Sequence, residues 1–326
     1  MKKVFLTGTN GLLGHNLVIE LIDSGYEVKG LVRDCNKYEG PLFPELKLIE
    51  GSLRDDFHDH LKDVGVMIHA AAETRQDLPT EDHYDEINVK ATLHLLLQAI
   101  QAGVKKFIFV STANTVGTGG QANDLGMEDK SMTFPFNQAY YPRSKVKAEQ
   151  AILQYQDHIG IVIVNPTFML GAYDTKPSSG KIISIGSGKP VVFYPPGGKN
   201  FVYVKDVAKG IVNAIEKGKN GEKYLLCHEN LTLKDFFKKL NRELNKKPLM
   251  VAIPRWLLLA AGHIGEFIRK MGFGTSVCVA NMEIISRNGF YSNKKSVREL
   301  GMEYHPIETA LKETLNYFDQ RKESGK

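Results

Sequence analysis

The stretch that constrains this chain most is Thr7-Gly8-Thr9-Asn10-Gly11-Leu12-Leu13-Gly14, directly after the short apolar run Val4-Phe5-Leu6. An apolar run this short, stopped by glycine and followed by helical periodicity, reads as strand, tight turn, helix. Each glycine answers a steric need. One permits the sharp turn, one lets the backbone approach a diphosphate, and one lets the helix pack closely on the strand. The helix N-terminus then offers free N–H groups and a partial positive charge to phosphates. The spacing is Gly-x-x-Gly-x-x-Gly, not the Gly-x-Gly-x-x-Gly of the commonest dinucleotide fingerprint. Three glycines also fit a plain structural loop, so the rest of the chain must decide between the two.

After the first helix, Gly25 breaks the pattern and Tyr26 to Val32 forms a second strand ending in Arg33-Asp34. In dinucleotide folds an acid near this strand end takes the adenosine ribose hydroxyls, whereas an arginine accommodates a 2′-phosphate. Val32 stands where the acid belongs, Arg33 follows and Lys37 is close. A guanidinium matches a phosphate in a bidentate way that valine cannot. NADP(H) is therefore the expected cofactor, with NAD(H) the alternative because Asp34 is one residue away.

Further strands are expected at Leu46–Ile49, leading into Ser52-Leu53, and at Val64–Ile68, leading into His69-Ala70-Ala71-Ala72. Small residues at a strand's carboxyl end suit a cofactor lying across that edge. His69 reads as a buried structural histidine beside the sheet. Glu81 to Gly103 reads as one long helix with an apolar stripe at Ile87, Ala91, Leu95 and Ala99, and Asn88 falls next to it. Val104 to Val110 is a fifth strand, ending in Ser111-Thr112, and Ile159 to Val164 a sixth. Strands alternating with helices, in apolar runs that do not themselves alternate, predict an α/β fold: a Rossmann-type doubly wound parallel sheet.

Tyr141-Pro-Arg-Ser-Lys145 is the second anchor. On a helix these two side chains share a face, and Pro142 fits if the helix begins there. A phenol is a poor acid–base group at neutral pH, but a nearby ammonium and an oxidised nicotinamide would lower its pKa. Tyr141 could then donate a proton to a carbonyl oxygen or take one from an alcohol. A hydroxyl at the fifth strand's end would hold that oxygen, with Thr112 best placed and Ser111 second.

With these residues in view, the chain resembles the extended short-chain dehydrogenases/reductases of the NAD-dependent epimerase/dehydratase superfamily. Within it, the chain is most similar to the dihydroflavonol-4-reductase-like and hopanoid-associated sugar-epimerase-like branch. The likeness runs through Thr7-Gly8 to Gly14, Val32-Arg33, His69 to Ala72, Ser111-Thr112 and Tyr141-x-x-x-Lys145. It continues through Asn165-Pro166-Thr167, Phe201 to Ala208 and Ser296 to Gly301. It implies catalytic roles for Thr112, Tyr141 and Lys145, support of the lysine's proton relay by Asn88, and Pro166 and Thr167 against the nicotinamide. Threonine stands at 112 where the family has serine; it supplies the same donor and acceptor. The cofactor-binding set expected is Gly8, Asn10, Gly11, Leu12, Leu13, Gly14, Arg33, Lys37, Ser52, Leu53, Ala70, Ala71, Ala72, Ser111, Tyr141, Lys145, Pro166 and Thr167. The resemblance also implies a homodimer through a four-helix interface.

The organisation expected is a dinucleotide-binding domain over 1–170, with 201–227 returning to it, and a smaller, mostly helical substrate lobe from 171–200 and 228–326. Gly171 to Pro196 reads as loop, with Phe168, Met169, Tyr173, Lys181 and Phe193 as candidate substrate-wall or core residues. The lysines between Lys234 and Lys247 alternate with Phe236, Phe237, Leu240 and Leu244 at helical spacing. The net charge of +5 is therefore read as wet helix faces, not as a nucleic-acid site. Cys35, Cys227 and Cys278 are isolated, which disfavours a disulfide or a metal site and fits a cytoplasmic location. The most apolar stretch, Trp256 to Ile264, is too short and interrupted for stable membrane insertion and reads as a buried or partner-facing helix.

The leading functional expectation is an NADPH-dependent carbonyl reductase acting on a small ketone or aldehyde. The alternative is an NAD-dependent nucleotide-sugar epimerase or dehydratase, for which the lobe offers Lys189, Lys199 and Arg287 but no arginine pair. A non-catalytic dinucleotide sensor is the third, disfavoured by the intact Tyr141 and Lys145.

Overall fold

The computed structural model describes residues 2–78, 80–121, 123–175 and 180–323. Its first half is a repeated strand–helix unit: β1 (Lys3–Thr7), α1 (Leu12–Asp23), β2 (Glu27–Val32), β3 (Leu46–Glu50), α2 (His58–Leu61) and β4 (Val66–His69). These are followed by α3 (Asp82–Asp85), α4 (Ala91–Gln101), β5 (Lys106–Val110), α5 (Tyr140–Leu153) and β6 (Gly160–Pro166). The chain then passes through β7 (Phe168–Leu170), α6 (Lys181–Gly186), β8 (Val191–Tyr194), β9 (Gly198–Tyr203), α7 (Val204–Lys217) and β10 (Lys223–Leu226). It ends in β11 (Glu229–Thr232), α8 (Leu233–Glu243), β12 (Leu249–Ala252), α9 (Arg255–Lys270), α10 (Val279–Ser286), β13 (Asn288–Gly289), α11 (Lys294–Leu300) and α12 (Ile307–Glu323).

Seven strands form the main sheet in the order β10-β6-β5-β4-β1-β2-β3, every pair parallel. This is the Rossmann-type doubly wound sheet. Its alternating side chains feed two cores: Val4 and Leu6 join α1 and α7 on one face, while Phe5 joins the layer of Leu95, Leu96 and Ile152 on the other. The strand order reverses at β1, between β2 and β4, and the glycine turn sits at that switch point.

Two expectations gain detail and two need correction. The long helix runs unbroken over 82–101, but one π turn over Glu86–Lys90, which contains Asn88, joins α3 to α4. Its extra residue per turn carries no signal in an apolar stripe. The smaller lobe is mostly helical, through α6 and α8 to α12, and beside these helices β7, β9, β11 and β13 form a second sheet and β8 and β12 a third. Of the segment 201–227, α7 packs on α1 and β10 extends the main sheet, but Phe201–Tyr203 lies in the second sheet. The span 171–196 holds α6 and β8, although residues 176–179 lie outside the described residues. The chain passes from the main sheet to the second at Thr167, and the candidate site lies at this crossing.

Candidate active site

The three glycines divide the work as their surroundings dictate. Gly8 has φ +76°, and a Cβ there would stand 2.7 Å from the Ala71 nitrogen. Gly14 lies so close beneath the turn that a Cβ would meet the Gly8 carbonyl oxygen at 2.0 Å. Gly11 is different. It is exposed, and its Cβ would meet only Gly8 O, at an ordinary 3.4 Å. It opens α1 without a side-chain cap, leaving Leu12 and Leu13 to follow with their backbone at the helix's positive end. A bare, open helix start beside an exposed glycine fits a dinucleotide diphosphate.

Asn10 ties this turn to the loop after β2: its Nδ2 donates to the Lys37 carbonyl at 2.6 Å, and its Oδ1 accepts from Glu39 N at 3.3 Å. In that loop Asp34 accepts from the Asn36 backbone and pairs with Lys37 at 2.8 Å. Arg33 is exposed and has no ion pair among the described residues. Ser52 and Leu53 follow β3, where Ser52 N donates to the Asp55 carboxylate at 2.8 Å and Leu53 packs against the second core. Ala70, Ala71 and Ala72 are half-buried, the first two against Gly8, and Ala71 N donates to Thr7 Oγ1 at 3.2 Å. His69 is fully buried, bonded to Thr7 and Thr92 and stacked on Phe109, and burial pushes its pKa down to about 3. It is structural.

Tyr141 and Lys145 lie in the first turns of α5. Burial pushes the Tyr141 phenol up to about 12, and a hydrogen bond with Thr112 opposes the rise. The Lys145 ammonium donates to Val110 O at 2.8 Å and lies 3.9 Å over the Phe109 ring, and its own pKa falls to about 7 through burial, offset by Glu149. Ser111 is separated from Thr112 here, because its hydroxyl donates to Glu149, away from the phenol. Thr112 instead faces Tyr141 and caps Asn114 N at 3.3 Å. Asn88 touches Ser144 Oγ at 2.9 Å, next to Lys145, and clamps Glu73 through both its amide atoms.

Glu149 is a functional neighbour that the sequence reading missed. It is 1% exposed and gathers Ser111, Thr115, Asn165 and Lys223. Its position one turn beyond Lys145, on the same helix face, was the available signal.

Beside Thr112 opens a cavity of about 180 Å³, lined by Phe136, Pro166, Thr167, Phe168, Asn200 and Lys199 among others. Thr167 donates to Asn200 Oδ1 at 2.7 Å. Burial lowers the Lys199 ammonium, which stands 5.6 Å from the centre of the Phe168 ring. Of the other wall candidates, Met169 packs on the core and Tyr173 stacks between His15 and Tyr317. Lys181 and Phe193 are exposed. Lys189 is exposed away from the cavity, and Arg287 pairs with Glu283.

A Rossmann-type sheet with this turn at its switch point and a tyrosine–lysine helix beside it defines an NAD(P)-dependent enzyme of the extended short-chain dehydrogenase/reductase type. The chain belongs to the NAD dependent epimerase/dehydratase family, whose model matches residues 4–227. It is 29% identical over 324 residues to a putative dihydroflavonol 4-reductase of Synechocystis sp., covering 96% of this chain and 94% of that one. It is 29% identical over 275 residues to a UDP-glucose 4-epimerase of Vibrio cholerae, covering 81% and 82%. The crystal structure of gox2253 superposes with a TM-score of 0.83 at 28% identity, covering 98% of this chain and 99% of that one. No helix among the described residues is long and apolar enough to cross a membrane.

Proposed function

We propose that this chain is an NADPH-dependent carbonyl reductase, with 1–170 holding the dinucleotide and the lobe of 171–200 and 228–326 closing over the substrate. The observation that carries the reading is the Thr112 hydroxyl set beside a buried phenol, next to the cavity at the sheet crossing. A protonated tyrosine is the form a reduction needs, since the carbonyl oxygen must gain a proton.

Gly8, Gly11 and Gly14 with the α1 N-terminus would hold the diphosphate, Arg33 and Lys37 the 2′-phosphate, and Pro166 and Thr167 the nicotinamide end. The bound cofactor supplies the hydride. Thr112 orients the carbonyl oxygen by hydrogen bond, and Tyr141 gives that oxygen its proton. Lys145, one helical turn from Tyr141 and held by Val110, would support that proton transfer with its charge. Asn88, through Ser144, fixes the helix turn that carries both. The relative named as a dihydroflavonol 4-reductase spans more of this chain than the one named as an epimerase.

One observation favours the second reading, an NAD-dependent nucleotide-sugar epimerase: Lys199 brings a cation without a carboxylate partner among the described residues into the cavity. Purified protein with NADPH and a panel of ketones and aldehydes tests the choice. NADPH oxidation that disappears in Tyr141→Phe, with NADPH binding retained, supports the reductase. Nucleotide-sugar turnover with NAD⁺ carried through purification, and no NADPH oxidation, supports the epimerase. Binding without any turnover leaves a sensor.

A further inference from the structure

Helix α9 is built inside out. Its buried positions are Leu258, Gly262 and Gly265. The two glycines let the chain before α10 lie against it: a Cβ on Gly265 would stand 1.4 Å from Val277 O, and one on Gly262 3.0 Å from Val279 Cα. The large apolar side chains point the other way. Trp256, Ile264 and Phe267 are 70%, 64% and 63% exposed, and Met271 and Phe273 continue the strip beyond the helix. Helical periodicity puts Trp256, Ala260, Ile264, Phe267 and Met271 on one outward side. The β8–β12 ribbon, which ends three residues before α9, also exposes apolar side chains, Phe193 and Leu249, with Phe193 paired to Val251. A burial-driven helix puts its bulky apolar side inward, and patches of this extent usually meet a partner.

The surrounding charges indicate which partner. Between residues 244 and 282 stand Lys246, Lys247, Arg255, Arg269 and Lys270, with Glu266 the sole acid. Arg255 is taken by Glu283, and Arg269 by the Thr275 and Gln76 carbonyls. Lys246, Lys247 and Lys270 remain exposed, with no ion pair among the described residues. Parallel pairing of β8 with β12 brings Lys189 to the same end of the ribbon as Lys246 and Lys247. A second copy of this chain about a two-fold axis would set this cationic patch against itself with almost no acid to answer it. An anionic bilayer answers both features: the apolar side chains enter the boundary between headgroups and acyl chains, and the lysines meet lipid phosphates.

We propose that α9 and the outer face of the β8–β12 ribbon dock this enzyme onto an anionic membrane surface, lying in the interface without crossing it. α9 packs on α10, whose Ile284 lines the cavity, so docking would bring the cavity's wall close to the lipid. The docking does not depend on which reaction the site performs.

Trp256 is the chain's single tryptophan, so its emission reports on this face. The full chain is mixed with vesicles of phosphatidylcholine alone, or of phosphatidylcholine with phosphatidylglycerol, at low and high salt. Flotation with the anionic vesicles, weakened by salt and accompanied by a blue shift of Trp256, is the expected result. The double substitution Ile264→Glu/Phe267→Glu should cut the bound fraction about tenfold or more while far-ultraviolet circular dichroism stays unchanged. Lys246→Glu/Lys247→Glu should weaken binding to anionic vesicles alone. Any of three results overturns the proposal: no flotation with either vesicle, flotation that survives the Ile264/Phe267 pair, or a Trp256 shift that follows protein concentration and a dimer in light scattering.

Discussion

Lys145 donates its ammonium to the Val110 carbonyl at 2.8 Å, which ties helix α5 to the strand end that carries Thr112. The same side chain lies over Phe109, so the cation is buried between backbone and ring, and burial holds its pKa near 7. Its charge is thus within reach of ordinary pH, and the surroundings that set it can be altered one at a time.

With the ammonium as the working form, kcat/KM for carbonyl reduction should fall as pH rises through about 7, because Lys145 loses its proton there. Glu149 pulls that pKa upward, so Glu149→Gln should move the falling limb to lower pH. A pH profile whose limb is unmoved by the substitution would remove Glu149 from this role.

The glycines should separate stability from binding. Gly14→Ala forces a Cβ into the Gly8 carbonyl, and Gly8→Ala adds a left-handed φ to a clash with Ala71. Each should cost about 2 kcal/mol or more of stability, seen as a lower melting temperature. Gly11→Ala meets ordinary contact only, so it should melt like the parent yet bind dinucleotide more weakly. Equal melting losses in all three would contradict this division.

Arg33 is the exposed cation at the end of β2 without an ion pair among the described residues. Arg33→Ser should weaken NADPH by about tenfold to a hundredfold, the worth of a charge-assisted phosphate contact, and leave NADH nearly unchanged. Fluorescence titration of both nucleotides measures the ratio, and an unchanged ratio would exclude the residue from phosphate selection.

Acid should destabilise the chain through two buried imidazoles. Burial lowers His69 to about 3 and His15 to about 4, from an ordinary 6.5. In the folded state both stay neutral where the unfolded chain takes up protons. Stability is therefore undiminished above about pH 6.5, and the loss grows as pH falls, completing near 3 to 4. For His69 the full loss is on the order of 5 kcal/mol. Urea unfolding at pH 7 and 5 checks it: His69→Gln should be less stable at pH 7 but lose less on acidification.

Much of the chemistry is written in short-range patterns. The glycine turn, Arg33 at its strand end and the spacing of Tyr141 and Lys145 depend on turn sterics and helical period, which a few neighbouring residues set. The same local rules placed each strand of the parallel sheet within a few residues. They also showed His69 as structural, since a histidine ending a buried strand has nowhere else to go.

Tertiary packing decided the rest. Whether Ser111 or Thr112 meets the phenol depends on Glu149, which claims the serine from a helix far along the chain. The direction of the Tyr141 shift depends on burial, which spacing does not encode, and so does the position of Lys199 in the cavity. The second sheet joins segments from 168 to 289 whose pairing has no local signature. By itself the sequence determined the elements of the main sheet and the reactive groups, because those follow from nearest-neighbour sterics and periodicity. Only the tertiary structure decided which groups face one another and how strongly each holds its proton, because contact and desolvation are made by residues distant along the chain.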